Sequence, residues 1–262
     1  MTPALFYCTQ QCLFCWRAQS GDLGIAWDEM KLPIWDSPED IVEGSIKAQL
    51  EILSGYKGNP RTNQQKFKEA LTPKHVAISL TGEPTLYKPI GELIQAFHRR
   101  GFITFLVSNG TVPSALAKLS EEPTQLYVSV CAPDEETFKH VCRPQIPEAW
   151  EKMNETLKLL PSFKCPTVIR ITSVRGLNMK NIEGYARLIE KANPTYIEPK
   201  AYMHVGFSRL RLGYENMPSH REISEFAMQL AEETGYIAID ESEESRVVLL
   251  SRLERPIRCA DD

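Results

Sequence analysis

His75-Val76-Ala77-Ile78-Ser79-Leu80-Thr81-Gly82-Glu83-Pro84 is the stretch on which the fold turns. It opens as a short apolar run, which reads as a strand over 75–80, and breaks into a polar turn containing glycine. An amphipathic helix is expected over 90–100 and a second strand over 102–107. The unit then recurs. Further strands are expected at 126–130, 167–174, 196–200 and 246–251. Helices are expected at 114–119, 150–160, 182–192 and 219–234, the last with a serine cap. Strand–helix alternation at this spacing specifies βαβ units and a parallel sheet, an α/β class that closes into full or partial barrels. Polar residues follow nearly every predicted strand: Thr81-Gly82-Glu83, Ser108-Asn109-Gly110, Ser129, Thr172 and Lys200. Barrels of this kind work at the C-terminal ends of their strands, so the regularity predicts a single active face.

Composition bounds the rest. Of 262 residues, 42% are hydrophobic and 24% charged, which is ordinary for a globular chain and suits one domain over 1–262. No apolar run approaches the roughly 18 residues that span a bilayer. The N-terminus lacks the basic-then-apolar pattern of a signal peptide. A cytoplasmic monomer with no membrane association is therefore expected. The net charge of −4 argues against a general nucleic-acid binder, so any RNA contact must be a local patch. The segment 21–74 departs from the repeat. It carries Trp27, Trp35 and several prolines, holds one good helix near 38–53, and is expected beside the barrel or over its mouth.

Seven cysteines lie at 8, 12, 15, 131, 142, 165 and 259. An odd, clustered set favours a metal or redox site over a disulfide framework. Cys8, Cys12 and Cys15 have the spacing C-x3-C-x2-C. Three thiolates on one short loop can bind three irons of a [4Fe–4S] cubane and leave the fourth open. The open iron can be chelated by the amino and carboxylate groups of S-adenosylmethionine (SAM). One electron from the cluster then cleaves the carbon–sulfur bond and yields a 5′-deoxyadenosyl radical. Structural zinc asks for four ligands, usually as paired C-x2-C units, and ferredoxin runs are commonly C-x2-C-x2-C with a fourth cysteine and a proline; neither fits well. The spacing, with Phe14 before the third cysteine, resembles that of radical SAM enzymes, where an aromatic there abuts the adenine. Ser79-Leu80-Thr81-Gly82-Glu83-Pro84-Thr85 is similar to the stretch that binds the SAM amino group in those enzymes, which assigns Thr81, Gly82, Glu83 and Pro84 to the cofactor. The plain alternative is a capped strand-to-helix turn. Ser108, Asn109, Ser129, Arg170 and Thr172, each near a strand end, are assigned to the SAM ribose and carboxylate. The alternative is Asn-Gly turn chemistry and ordinary barrel-interior polar residues.

The likeness extends further. Met1-Thr2-Pro3 leading to Cys8, Cys15-Trp16-Arg17, the run 74–87, Pro123-Thr124-Gln125-Leu126-Tyr127-Val128-Ser129, Gly206-Phe207-Ser208-Arg209, Asn216-Met217-Pro218-Ser219-His220 and Ser245-Arg246-Val247-Val248-Leu249-Leu250 resemble the tRNA 4-demethylwyosine synthases over nearly the whole chain. That resemblance implies a partly open (β/α)6 barrel. It implies a reaction in which N1-methylguanosine at position 37 of tRNA-Phe gains a two-carbon unit from pyruvate and closes a third ring. It also implies an electron donor, taken to be flavodoxin- or ferredoxin-like. Family enzymes carry an N-terminal extension with three more cysteines for a second cluster; with Met1 seven residues before Cys8, that extension is expected to be absent. Pyruvate then has two possible holders, the second cluster or a Schiff-base lysine, for which Lys200 is the internal choice. The stretch 200–221 sets Lys200, Arg209, Arg211 and Arg221 against Glu215, with Tyr202, Phe207 and Tyr214 interleaved. Cations among aromatics suit phosphates and an unstacked base, so Tyr202, His204, Arg209, Arg211 and Arg221 are expected to bind the tRNA. The plain alternative is a solvated loop. Two competing functions remain: a radical SAM enzyme with another substrate, and a non-catalytic iron–sulfur electron-transfer module.

Overall fold

The computed structural model describes residues 1–24 and 34–259. Its helices and strands run α1 (Ser20–Leu23), α2 (Pro38–Ser54), α3 (Gln64–Ala70), β1 (His75–Ile78), α4 (Ile90–Arg99), β2 (Ile103–Ser108), α5 (Pro113–Ala117), β3 (Gln125–Ser129), α6 (Glu135–Cys142) and α7 (Ala149–Leu159). They continue with β4 (Thr167–Ser173), α8 (Ile182–Ala192), β5 (Tyr196–Ala201), α9 (His220–Thr234), β6 (Ile237–Ser242) and β7 (Val247–Ser251). One mixed sheet holds all seven strands in the order β1-β2-β3-β4-β5-β7-β6.

The five strands β1 to β5 are parallel neighbours in sequence order, as the βαβ reading requires. The expected last strand does form, but β7 runs antiparallel to β5. The reason is local. The crossover through α9 lands on β6, and a short turn folds β7 back between β5 and β6. At the opposite edge, the Met1 ammonium donates to the Ala77 carbonyl at 2.8 Å, and the Met1 carbonyl accepts from Ser79 N at 2.8 Å. Met1 thus brackets Ile78 in the manner of a parallel neighbour.

Alternation along the strands separates the two faces of the sheet. Thr104, Leu106 and Ser108 of β2 are buried on the helix side, while Phe105 and Val107 are half-buried on the open side. Helix α4 supplies Leu93, Ile94 and Phe97, all at most 1% exposed, to the core. Opposite them, the register aligns Ser129 with Arg170, Arg170 with Glu198, and Thr172 with Lys200. These half-buried polar residues form a ladder across the barrel interior.

Helix α2 packs beside the barrel, not over its mouth. Val42 is buried, Glu39 and Glu43 pair with Arg99 and Arg100 at the end of α4, and Tyr87 Oη donates to the Asp36 carbonyl at 2.8 Å. Trp27 lies outside the described residues. Trp35 is on the surface, with the Lys88 ammonium 5.2 Å from its ring. Among the described residues no helix is long and apolar enough to cross a membrane.

Asn178 ties the strand ends together. It is 0% exposed, its Oδ1 accepts from Val174 N at 2.6 Å, and its Nδ2 donates to the carbonyls of Cys131 (2.9 Å) and Thr172 (2.8 Å). Asn178→Ala strands three buried backbone groups, so it should cost about 3 kcal/mol. Urea unfolding should show a lower midpoint at unchanged m-value. A loss below about 1 kcal/mol would mean that water replaces the amide.

Candidate active site

A cavity of about 380 Å³ opens at the C-terminal ends of the parallel strands. Cys8, Cys12 and Cys15 line it, with Phe14 between them. Thr81, Gly82 and Glu83 enter from the end of β1, Ser108 and Asn109 from β2, and Ser129 from β3. Arg170, Thr172 and Lys200 complete the wall from β4 and β5. Every expected cofactor residue reaches this cavity except Pro84, which is buried in the first turn of a short 3-10 helix below it.

The cysteine loop has little secondary structure of its own, so its backbone groups are met by neighbours. Leu13 N donates to the Val141 carbonyl at 2.9 Å, and Gln11 N to those of Cys142 and Arg143 at 3.2 and 3.1 Å. These are the carbonyls that the C-terminus of α6 leaves without a helical partner. Gln145 N donates to Thr9 O at 2.8 Å. The buried Thr9 hydroxyl lies 2.6 Å from that of Thr111 and accepts from Asn109 Nδ2 at 2.8 Å. Asn109 Nδ2 also stands 3.8 Å from Cys8 Sγ. Asn109 therefore orients the first cysteine as well as lining the cavity.

Glu83 is 1% exposed, and both of its carboxylate oxygens are engaged. Oε1 accepts from Thr85 N, Thr85 Oγ1 and Ser108 Oγ at 3.1, 2.6 and 2.8 Å; Oε2 accepts from Asn109 N at 2.7 Å. Burial pushes its carboxyl up, against these hydrogen bonds, which pull it down. Its carboxylate thus joins the β1 and β2 loops. Gly82 has φ +69°, and a Cβ there would lie 2.6 Å from Leu5 O and 2.7 Å from Tyr7 O. Only glycine lets the chain leading to Cys8 pass so closely.

The donor set suits an iron–sulfur cluster. Burial, then the neighbouring Cys12, pushes the Cys8 thiol well up; a hydrogen bond with Cys142, then burial, does the same for Cys12. Both thiols therefore favour the neutral form on their own, and a bound iron would supply the charge that stabilises the thiolates. Among the described residues no three His, Cys, Asp or Glu side chains converge on a single ion. A cubane asks for something different: each thiolate takes its own iron, so the ligands stand farther apart.

Arg170 is already committed in part. It pairs with Glu198 at 2.7 Å and its guanidinium lies 4.5 Å from the Tyr127 ring centre. Burial, then Glu198, pushes the Tyr127 hydroxyl up to about 12. Lys200 is half-buried beside Thr172.

The expected tRNA-binding set divides. Arg211 is not a surface cation. Its side chain is 8% exposed and paired with Asp22, itself 9% exposed. It donates to the carbonyls of Leu13, at 3.2 Å, and of Cys15. It is a latch on the cysteine loop, and the geometry removes it from the tRNA surface. Tyr202 is 1% exposed, with its hydroxyl on Ser208 at 3.1 Å, so it cannot stack on a base. His204 is bound to the Leu212 carbonyl at 3.1 Å, its ring edge-on to Tyr202 and Tyr214. Arg221 is exposed on α9, paired with Glu225 at 2.8 Å and away from the cavity. Arg209 is exposed, as are Phe207, Leu210 and Tyr214 around it. The sequence counts charges but not carbonyl partners, which is why Arg211 read as a phosphate ligand. Trp16 and Arg17, which line the cavity mouth, drew no site assignment from the sequence.

A parallel α/β sheet with this cysteine loop on its C-terminal face defines a radical SAM protein, and the profile of the Radical SAM superfamily matches residues 4–189. That of Wyosine base formation matches residues 191–252. The tRNA 4-demethylwyosine synthase of Pyrococcus abyssi is 53% identical over 256 residues, covering 96% of this chain and 74% of that protein. The Methanocaldococcus jannaschii enzyme is 45% identical, with 98% and 81% covered. The chain belongs to the S-adenosyl-L-methionine-dependent tRNA 4-demethylwyosine synthase family. A structure of TYW1 with a lysine–pyruvate adduct bound superposes with a TM-score of 0.85 at 43% identity, covering 98% of this chain and 80% of that one. A crystal structure of archaeal TYW1 gives 0.77 at 38% identity, with the same coverage.

The two arginines should now separate. Arg211→Ala leaves the Asp22 carboxylate buried and two loop carbonyls unpaired, a loss of about 3 kcal/mol. Anaerobic reconstitution of that variant should give sub-stoichiometric iron. Arg209→Ala should take up full iron and, if Arg209 meets a phosphate, flatten the salt dependence of tRNA binding by roughly 0.7–0.9 in slope. Full iron in Arg211→Ala would refute the latch.

Proposed function

We propose that this chain forms 4-demethylwyosine at position 37 of tRNA-Phe, from N1-methylguanosine and pyruvate, by radical SAM chemistry. The observation that carries the reading is the convergence of three loop cysteines, the β1 and β2 end loops and Lys200 on one cavity. An electron-transfer module has no use for those strand-end loops. Similarity to 4-demethylwyosine synthases over 96% of this chain, together with the wyosine match over 191–252, favours this substrate over another.

Cys8, Cys12 and Cys15 would hold the cluster, leaving one iron for the SAM amino and carboxylate groups. With both bound, the group would supply a 5′-deoxyadenosyl radical for hydrogen abstraction from the methyl group of the base. Phe14 would lie against the adenine. Thr81 and Gly82 offer backbone groups to the SAM amino end. Ser129 and Thr172 would present polar side chains toward the ribose, and Arg170 toward the carboxylate, while Ser108 and Asn109, bound to Glu83, Thr9 and Thr111, would hold the ribose-side loop in place. Glu83 and Pro84 fix the loop that carries these groups. Lys200 is the internal candidate for holding pyruvate as a Schiff base, its amine attacking the ketone carbon with loss of water. The lysine–pyruvate adduct in the TYW1 relative makes this chemistry reasonable here. A flavodoxin- or ferredoxin-like donor would reduce the cluster, and the setting would be the cytoplasm.

The test is anaerobic reconstitution, then measurement of SAM cleavage and tricyclic base with methylated tRNA-Phe and pyruvate. The native chain should bind about four irons, and Cys12→Ala should lose the cluster absorption and all cleavage. Cyanoborohydride with pyruvate should place a reduced adduct on Lys200, absent in Lys200→Arg. An adduct elsewhere reassigns the lysine; full activity in Cys12→Ala overturns the cluster assignment.

A further inference from the structure

The cavity mouth is ringed by apolar side chains that a water-facing rim has no reason to keep. Leu80 is 50% exposed, Val205 47%, Trp16 43% and Met203 38%, and all four line the opening. Leu80 holds φ +96°, a strained conformation for a non-glycine residue, at this rim. Contiguous exposed apolar surface marks a contact site.

Two exposed rings line the opening, Phe6 (50% exposed) and Trp16, and it is Trp16, directly after the third cysteine, that is mounted rigidly. Its carbonyl accepts from Phe207 N at 2.9 Å, and a Cβ on Gly206 would come within 2.3 Å of that oxygen. The preceding residues are held by Arg211 through the carbonyls of Leu13 and Cys15. Arg17 lies with its guanidinium carbon 3.9 Å from the Trp16 ring centre. Among the described residues Arg17 is in no ion pair, and its Nε is buried without a hydrogen-bond partner. A stacked tryptophan–arginine pair presents an aromatic face beside a cation that no carboxylate among the described residues pairs with.

We propose that Trp16 and Arg17 form the receiving platform for the purine to be modified, with the base stacked on Trp16 and a flanking phosphate on Arg17. This rests on the tRNA reading above. A base can reach the radical only after leaving its stack, and the lost stacking must be replaced at the destination. An exposed indole one residue after the third cluster ligand offers that replacement beside the reacting centre. Stacking on an aromatic is indifferent to base identity, while the arginine adds a planar cation suited to phosphate. Phe14 does not compete for the role: it is half-buried and packed against the Cys131 and Tyr202 core clusters, on the cofactor side.

The reconstituted full chain is tested with two probes: tRNA-Phe carrying N1-methylguanosine at position 37, and the same tRNA abasic at that position. The native chain should prefer the first by about tenfold or more, the scale of one stacked base. Trp16→Ala should erase that preference, and Trp16→Phe should restore most of it. Arg17→Ala should keep the preference and reduce the salt slope by roughly 0.7–0.9. Iron content and SAM affinity, by equilibrium dialysis, should be unchanged in Trp16→Ala. A native chain that discriminates while Trp16→Ala discriminates equally overturns the platform alone. Lost SAM affinity in Trp16→Ala also overturns it, moving the ring to the cofactor. A native chain that binds neither tRNA removes the tRNA reading, and the platform with it.

Discussion

The buried carboxylate of Glu83 is the constraint on which the site depends. An ionised carboxylate out of water is costly unless its lone pairs are met. Here they are met by Thr85 on one side and by Ser108 and Asn109 on the other. Satisfying one charge thus fixes the loop after β1 against the loop after β2. The same turn holds the N-terminal segment, since Glu83 N donates to Tyr7 O at 2.8 Å and Gly82 lets the chain pass. The cysteine loop begins one residue later. The cysteine loop and the loops after β1 and β2 are registered to one another through this single side chain. Burial raises its carboxyl, so the network is under electrostatic load, and the four donors keep it usable.

The segment matched to wyosine base formation is not an accessory to the barrel. Residues 191–252 supply β5, α9, β6 and β7, hence three strands of the sheet. They also supply Arg211 and Phe207, which hold the backbone of Leu13, Cys15 and Trp16. The part of the chain that distinguishes this family therefore grips the loop common to the superfamily. A change at the exposed residues Phe207, Arg209, Leu210 and Tyr214 has a short path, through packed backbone, to the cysteine loop.

Much of this was legible in the sequence. The strands β1 to β5 and helices α4, α7, α8 and α9 follow from apolar periodicity and caps, because local pattern and tertiary burial agree there. The cysteine spacing, Gly82 and Asn109 announced themselves because each chemical role restricts residue type severely. Helix α6 escaped: its eight residues carry only Phe138 and Val141 as large buried apolars, too few for a period. Strand β6 escaped as well, since it is an edge strand without a buried side chain. Glu83 reads in the sequence as a SAM-binding residue, whereas its buried carboxylate is engaged by Thr85, Ser108 and Asn109. Arg211 and Tyr202 were misassigned because side-chain type reveals chemical capacity, whereas orientation is decided by contacts nearly two hundred residues apart in the first case.

That reassignment changes how RNA must be held. The chain carries a net charge of −4, and several arginines of its second half, Arg170 among them, are spent internally. Arg211 is on Asp22, Arg175 on Glu222, Arg221 on Glu225 and Arg170 on Glu198. The Arg175 guanidinium holds the Glu222 carboxyl down at about 2, so that pair persists at neutral pH. With Lys200 assigned to pyruvate, Arg209 and Arg17 are left among these residues to meet phosphate. A polyanion held by few phosphate contacts loses little affinity with salt and gains little from charge alone. Recognition must then rest on shape and on the extruded base, and the aromatic and aliphatic rim is the surface that such recognition requires.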